Sequence, residues 1–477
     1  MPNVVPHIKD YLQAQEPKAP HMKDSPVFYR NLEEALDARR AEQNLIVFRD
    51  FNECVDFSSN DFLSLATSGL LRMAFFDELA RHPNFRLGAT SSRLLDGNSS
   101  YMETVEAEVA AFHNAEDCII VNSGYEANGA IYTAIPRPGD AIVYDELVHA
   151  STHDGMKNSL ALTKVSFRHN DVDSLEETLV YIRDTQPLIQ KGERSVIISV
   201  ESVYSMDGDV CPLKEFVEIA KEVFPRGNAQ FVVDEAHGTG VVGHQGAGLV
   251  QELGLEKEIA IRMHTFGKAL ASNGACVLSN NTVKTMLINF ARGVIYTTAP
   301  SFLVLAGIRS GYNLLKADIT KHAQDRVQYL VKLFFKTITE HPAYERAAET
   351  GILRVPLAEG WESRPFVTQV VPFWTKPHQN LFLVFHLQMA KYCAYPIDFP
   401  VVPKGAPRVR CVFHNHNTDE EVIGLASTLY AWAQEMLDIE DGKVASSIPV
   451  AARQAFAWTA EDETNGTNGT NGNGVTA

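Results

Sequence analysis

Thr265-Phe266-Gly267-Lys268-Ala269-Leu270 places one lysine among apolar and small residues, away from other charges. An amine in such surroundings loses solvation, its pKa falls and it becomes a better nucleophile. A surface lysine with a packed stem is the plain alternative for Lys268 taken alone. Val233-Asp234-Glu235-Ala236-His237-Gly238-Thr239-Gly240 follows an apolar run. A carboxylate at the end of a buried strand needs a cationic partner, and a protonated pyridine nitrogen is one. His237, three residues beyond Asp234, could bond a phenolic oxygen on the same ring. A helix N-cap with a polar neighbour is the competing reading.

Four more strings offer chemistry of a matching kind. In Asn122–Asn128, Gly124 and Tyr125 precede a helical pattern. Such a glycine lets backbone N–H groups approach a phosphate at a helix N-terminus. A simple strand-to-helix turn also fits, and no Gly-Lys-Ser/Thr follows to make a Walker loop. His149, in Leu147–Ser151, could stack on a planar ring or be a satisfied core histidine. Ser205, in Glu201–Asp209, offers a hydroxyl from what is otherwise an acidic surface turn. If Arg408–Val412 is a strand, Arg408 and Arg410 share one face, and a planar guanidinium binds a carboxylate bidentately. A solvated basic edge is the alternative there.

These residues need elements to hold them. From about 56 to 300, short apolar runs alternate with helical patterns, most clearly Cys118–Val121, Ala141–Tyr144, Ser195–Val200 and Phe231–Val233. Unbroken runs rich in β-branched residues fit strands buried on both faces, and strand–helix alternation argues for a parallel α/β sheet. Several of the strings fall just after these strands, where open α/β sheets place ligands. Residues 1–55 are predicted as an arm and a helix, the first thirty being a loose arm and Asn31–Arg40 helical. Asp56–Leu63 reads as a strand running into a turn. Residues 56–300 form the large domain, and 301–440 a smaller α+β domain with two long helical stretches and short strands. Residues 441–477 are expected to be a disordered low-complexity tail, ending in the Asn-Gly-Thr repeat from Asn465.

The 477 residues carry a formal net charge of −17, with 45% hydrophobic residues. That supports a sizeable core and argues against nucleic-acid or anionic-membrane binding, both of which use basic patches. No stretch approaches the roughly 18 apolar residues of a membrane span. The six cysteines, at 54, 118, 211, 276, 393 and 411, include no Cys-x-x-Cys pair. Neither a metal site nor a disulfide framework is signalled, and a reducing, cytoplasmic setting is expected.

Taken in order, FSSNDFLSL (57–65), YSMDGD (204–209), DEAHGTGVVG (234–243), TFGK (265–268) and the Arg408-Val409-Arg410 strand resemble the α-oxoamine synthase family of fold-type I pyridoxal 5′-phosphate (PLP) enzymes. Within that family they are most similar to the 8-amino-7-oxononanoate synthases, and the resemblance runs from about Asn31 to Leu437. It implies a fold-type I α/β architecture and a homodimer with shared active sites. It makes Lys268 the Schiff-base lysine and the base for the Cα proton. It pairs Asp234 with the pyridine nitrogen, stacks His149 on the ring and directs His237 and Ser205 to the phenolic oxygen. Gly124, Tyr125 and Thr265 would belong to the phosphate cup, Thr298 would reach the neighbouring subunit's phosphate, and Arg410, with Asn60 nearby, would hold an amino-acid carboxylate.

The implied reaction is a decarboxylative Claisen condensation. A small amino acid (alanine by default, glycine or serine elsewhere in the family) joins an acyl thioester of CoA or a carrier protein. The products are an α-amino ketone, CO₂ and free thiol. Another fold-type I enzyme, such as an aminotransferase or a carbon–carbon lyase, is the alternative; His149 and His237 argue against aminotransferases. A non-catalytic subunit would lack Lys268. Three departures stand out. No basic residue occupies the acyl-carboxylate position near Ile46, although Arg49 is close, which favours a plain acyl chain. Thr90 stands where a glycine is common. Asn417 falls at the usual distal histidine, with His414 and His416 upstream.

Overall fold

The computed structural model describes residues 4–48 and 53–467; Arg49 lies outside them. Its strands are β1 (Val55–Asp56), β2 (Asp117–Val121), β3 (Ala141–Asp145), β4 (Thr163–Phe167), β5 (Val196–Glu201), β6 (Ala229–Asp234), β7 (Ile261–Thr265), β8 (Ala275–Ser279), β9 (Val370–Trp374), β10 (Tyr392–Cys393), β11 (Tyr395–Ile397) and β12 (Arg408–Val412). Seven of them form one sheet in the order β2-β8-β7-β6-β5-β3-β4. The five from β7 to β4 run parallel, and β8 alone is antiparallel to its neighbours β2 and β7.

The apolar runs of the sequence fall on these strands because the sheet is covered on both sides. Val143, Ile198, Val200 and Val233 point into one core. Their neighbours Ile142, Ile197 and Val232 point into another. A strand with two cores has no face left for polar alternation. The parallel strands all end at one edge of the sheet. β3 leads to His149, β5 leads to Ser205, β6 ends on Asp234 and β7 ends on Thr265.

The smaller unit is an antiparallel sheet, β11-β12-β9, packed on helices Lys321–Thr339, Asn380–Met389 and Asp419–Glu440. Its core joins Leu330, Phe334, Phe373, Val409, Leu425 and Trp432, and Phe57 is buried there too. The strand expected after Asp56 is brief: β1 pairs with β10, and the chain then bends.

Three segments depart from expectation. Helix Phe302–Lys316 packs on the large core through Leu305, Ile308, Tyr312 and Leu315, so the smaller core begins later than residue 301. Burying each such side chain contributes about 1.5–3 kcal/mol, which outweighs the change in sequence pattern. The N-terminal arm contains helix Val4–Ala14, and the tail contains helix Val450–Thr467. The two pack together, with Ile8, Leu12, Ala451 and Ala455 buried alongside Phe385. Composition hid the second helix, since the Asn-Gly-Thr repeat dominates the tail while Ala451, Ala455 and Trp458 keep a helical spacing ahead of it. Residues 468–477 lie outside the described residues.

Candidate active site

At the C-terminal edge of the parallel strands lies a cavity of about 210 Å³ lined by Lys268, Asp234, His237, Thr265, Gly124, Tyr125, His149 and Ser205, with Asn128, Ser151, Glu201, Ala236 and Met263. Eight residues singled out in the sequence thus meet in one place. Burial lowers the Lys268 amine to about 8, against the raising charges of Asp234 and Glu201. A substantial share of it is therefore neutral near physiological pH, as a nucleophile requires.

The buried Asp234 accepts from Asn128 Nδ2 at 2.9 Å and from the Ala236 N–H at 2.9 Å. Among the described residues no cationic side chain lies within ion-pair distance of it. Asn128 Nδ2 also lies 3.0 Å from Ser151 Oγ. Ser151 Oγ in turn meets His149 Nδ1 at 2.8 Å, while the His149 N–H donates to Glu201 Oε1 at 2.6 Å. Burial, reinforced by the charge of Asp234, pushes the Glu201 carboxyl well above its ordinary range. Burial also lowers His149, and it lowers His237 strongly with Lys268 adding to the effect, so both rings are neutral. The His237 carbonyl accepts from Gln369 Nε2 at 2.9 Å, while its Nδ1 is buried with no hydrogen-bond partner.

Helix Gly124–Ala134 starts at the cavity, and its cap Ser123 takes the N–H of Glu126 at 3.1 Å. The first N–H groups of a helix have no intrahelical acceptor and suit an anion. A Cβ on Gly124 would sit 3.4 Å from Thr265 Oγ1, so the glycine keeps this cup open. The Tyr125 hydroxyl donates to Asp154, and its ring meets His149 edge-on at 6.4 Å.

Arg410 is buried beside the cavity. Its Nε donates to the Ser205 carbonyl at 2.7 Å and its Nη2 to Asn60 Oδ1 at 2.9 Å. Burial lowers it to about 10, which leaves it charged. Among the described residues it has no carboxylate partner. Arg408, two residues back on the same face, is instead locked to Asp207 and lies 5.4 Å from the Trp374 ring centre. The turn leading to Asn60 is fixed at Asp56 and Ser59: His414 lies 3.1 Å from the Asp56 carbonyl and 3.0 Å from that of Ser59, and Asn417 Nδ2 donates to the Asp56 carbonyl at 3.1 Å.

Thr298 is not brought into the cavity. It is exposed, pairs with Ser92, and its carbonyl accepts from Asn122 Nδ2 at 3.2 Å. Thr90 is exposed with a φ of 61°, the left-handed region where glycine is at ease. Asn128, Ser151 and Glu201 also line the cavity, and their residue types point to no role in the sequence. Only Asn128 left a signal, being one helical turn beyond Gly124 on the same face.

The cavity suits a phosphorylated pyridine aldehyde on observations of its own. It presents an amine of lowered pKa, a carboxylate without a cationic partner, an orphaned imidazole nitrogen and an open helix N-terminus. The chain matches the aminotransferase class I and II family over residues 52–349 and belongs to it. Within that family it is an α-oxoamine synthase, a PLP-dependent acyltransferase. It is 53% identical over 458 residues to the aminoacyl transferase sphA of Aspergillus fumigatus, spanning 95% of this chain and 97% of that one. It is 44% identical over 420 residues to an 8-amino-7-oxononanoate synthase of Emericella nidulans, spanning 87% and 98%. In fold it resembles a serine palmitoyltransferase of S. paucimobilis with bound PLP, at TM-score 0.67 and 22% identity over 81% of this chain and 88% of that one. An 8-amino-7-oxononanoate synthase of Francisella tularensis superposes at TM-score 0.61 and 21% identity, over 82% and 100%. Among the described residues no helix is long and apolar enough to cross a membrane.

Proposed function

We propose that the chain condenses a small amino acid, alanine by default with glycine or serine as alternatives, with a plain acyl thioester. The products are an α-amino ketone, CO₂ and free thiol. The observation that carries this reading is Arg410, a buried guanidinium fixed by Ser205 and Asn60 beside the lysine cavity, with no carboxylate partner among the described residues. A buried cation left unpaired is costly, and an amino-acid carboxylate supplies the missing charge.

PLP, when bound, accepts the electron pair released at the amino acid's Cα. Lys268 provides the attachment point and then, as a neutral amine, takes the Cα proton. Asp234, held by Asn128, supplies the negative charge opposite the ring nitrogen. His237, whose Nδ1 is buried without a partner, and the Ser205 hydroxyl would hold the ring oxygen, His149 would cover the ring, and Gly124, Tyr125 and Thr265 would receive the phosphate. Thr298, exposed outside its own cavity, serves the site of a second subunit in a homodimer.

A second cavity of about 470 Å³ shares His149 and Ser205 with the first, and Leu147, Val148, Met206 and Phe399–Pro403 line it. Its one arginine, Arg408, is taken up by Asp207. Ile46 lies in the adjoining groove and is exposed. Among the described residues this second cavity is lined by no lysine or arginine without a carboxylate partner, which supports an acyl chain lacking a terminal carboxylate. Among the described residues the six cysteines form no disulfide, which supports a cytoplasmic setting.

The test is thiol release by the PLP-loaded protein from a panel of acyl-CoAs, each paired with alanine, glycine or serine, with Lys268→Ala as control. Release that needs both partners and Lys268 is expected. Conversion of the cofactor to its amine form without thiol release would replace this reading with an aminotransferase.

A further inference from the structure

Behind the second cavity, one histidine joins its two walls. One wall is the segment after β3, Asp145 to Ala150, which carries His149. The other is the turn after β5, Tyr204 to Asp209, which carries Ser205 and Asp207. His169 lies between them. Its Nδ1 is 2.9 Å from Asp145 Oδ1, and its Nε2 is 2.6 Å from Asp209 Oδ2. We propose that His169 is a positioning residue: its ring ties the His149 segment to the Ser205 segment and thereby sets the width of the acyl pocket between them. The proposal rests on the acyl-pocket reading above.

Carboxylates accept and do not donate, so both ring nitrogens must carry hydrogens and the tie is an imidazolium. Burial opposes that charge, but the hydrogen bonds to Asp145 and Asp209 outweigh it and raise His169 to about 10. The neighbours reinforce the same link. The His169 N–H donates to Glu146 Oε1 at 3.0 Å, and the Asn170 N–H donates to Asp145 Oδ2 at 2.8 Å. Asn170 Nδ2 donates to Asp209 Oδ2 at 2.7 Å. Asp145 Oδ1 also takes the N–H of Leu147 at 2.8 Å, which fixes the path to His149. On the other side the Tyr204 N–H donates to the Asp209 carbonyl at 3.0 Å, closing the turn that presents Ser205, and the Tyr204 ring meets the imidazole edge-on at 4.4 Å. Asp145, Asp209, Asn170 and Tyr204 thus face the ring, and Glu146 holds the His169 backbone N–H. A neutral amide of similar size carries both its N–H donors on one atom and an acceptor oxygen on the other, so it cannot donate from both ends to two carboxylates and brings no charge to compensate them.

The experiment compares wild type, His169→Gln and Asp209→Asn, all PLP-loaded, from pH 6.5 to 9. In His169→Gln the KM for the acyl thioester is expected to rise about tenfold at every pH while kcat changes less, a displacement of a pocket wall being enough for that. In Asp209→Asn, the ring keeps one carboxylate and its pKa falls toward the ordinary value of about 6.5. Its thioester KM therefore climbs with pH, where the wild-type KM stays flat. An unchanged KM in His169→Gln, or a flat profile in Asp209→Asn, overturns the proposal. If wild type itself releases no thiol, the condensation reading fails separately, and thermal unfolding judges the tie. The Tm gap opened by His169→Gln should shrink as pH rises from 6.5 to 9 in the wild-type background, because the folded ring keeps its proton up to about 10 while the unfolded one loses it near 6.5, and should stay nearly constant in the Asp209→Asn background. A gap independent of pH in both backgrounds overturns it.

Discussion

Replacing Arg410 with lysine keeps the charge and removes the geometry. In the wild type, Nε on the Ser205 carbonyl at 2.7 Å and Nη2 on Asn60 at 2.9 Å fix the guanidinium plane, leaving its remaining donors for a ligand. Lysine is a point charge and cannot satisfy both anchors and present a second parallel donor. The loss is about one charge-assisted hydrogen bond together with the fixed orientation, about 2–3 kcal/mol. That corresponds to about a 30- to 150-fold weaker half-saturation by the amino acid. The carboxylate contact is made before and during proton removal, so it acts mainly as uniform binding and kcat should fall by less. The assay is a titration of the PLP-loaded protein with amino acid, followed by cofactor absorbance, alongside thiol-release kinetics. A half-saturation within about threefold of wild type, under about 0.7 kcal/mol, would refute Arg410 as the carboxylate site.

Three further outcomes are expected. Because burial lowers Lys268 to about 8 and only the neutral amine attacks, PLP uptake by the apoprotein should accelerate as pH rises through about 8; stopped-flow absorbance between pH 6.5 and 9.5 checks this, and a flat profile contradicts it. Gly124→Ala puts a methyl 3.4 Å from Thr265 Oγ1 in the phosphate cup, so equilibrium dialysis should show PLP held about tenfold less tightly with little change in Tm. Asp56 is lowered to about 2, burial being outweighed by His414 and the N–H groups of Ser58 and Ser59. Its stabilisation is present above the ordinary value near 3.8 and is lost as pH falls toward 2, so the acid-induced drop in Tm over that window should be smaller in Asp56→Asn.

The parallel strands were legible because burial on both faces leaves an unmistakable apolar run; all six residues of β5 are buried. The antiparallel direction of β8 was not, since Ala-Cys-Val-Leu-Ser buries completely whichever way it runs. Asp234 and Lys268 could be singled out because a charge beside an apolar run is locally anomalous. Ser151 and Glu201 could not, and Asn128 showed only in its spacing from Gly124, because their hydrogen bonds to Asp234 and His149 join four separate strand ends. The strand rule put Arg408 and Arg410 on one face, and only the folded chain reveals that Asp207 occupies the first and not the second. Helix Phe302–Lys316 and the two terminal helices illustrate the same limit. Their patterns are helical, but which core receives them depends on surfaces built elsewhere in the chain.

Helix Val4–Ala14 finds its apolar neighbours on Val450–Thr467 and Asn380–Met389. During synthesis it therefore leaves the ribosome hundreds of residues before the surfaces that cover Ile8 and Leu12 exist. A helix made long before its partners is among the last to be buried, and loop-closure entropy makes such a long-range clasp form late. A fluorophore pair placed on the two terminal helices would report the final step of maturation, after the sheet and its cavity are already in place.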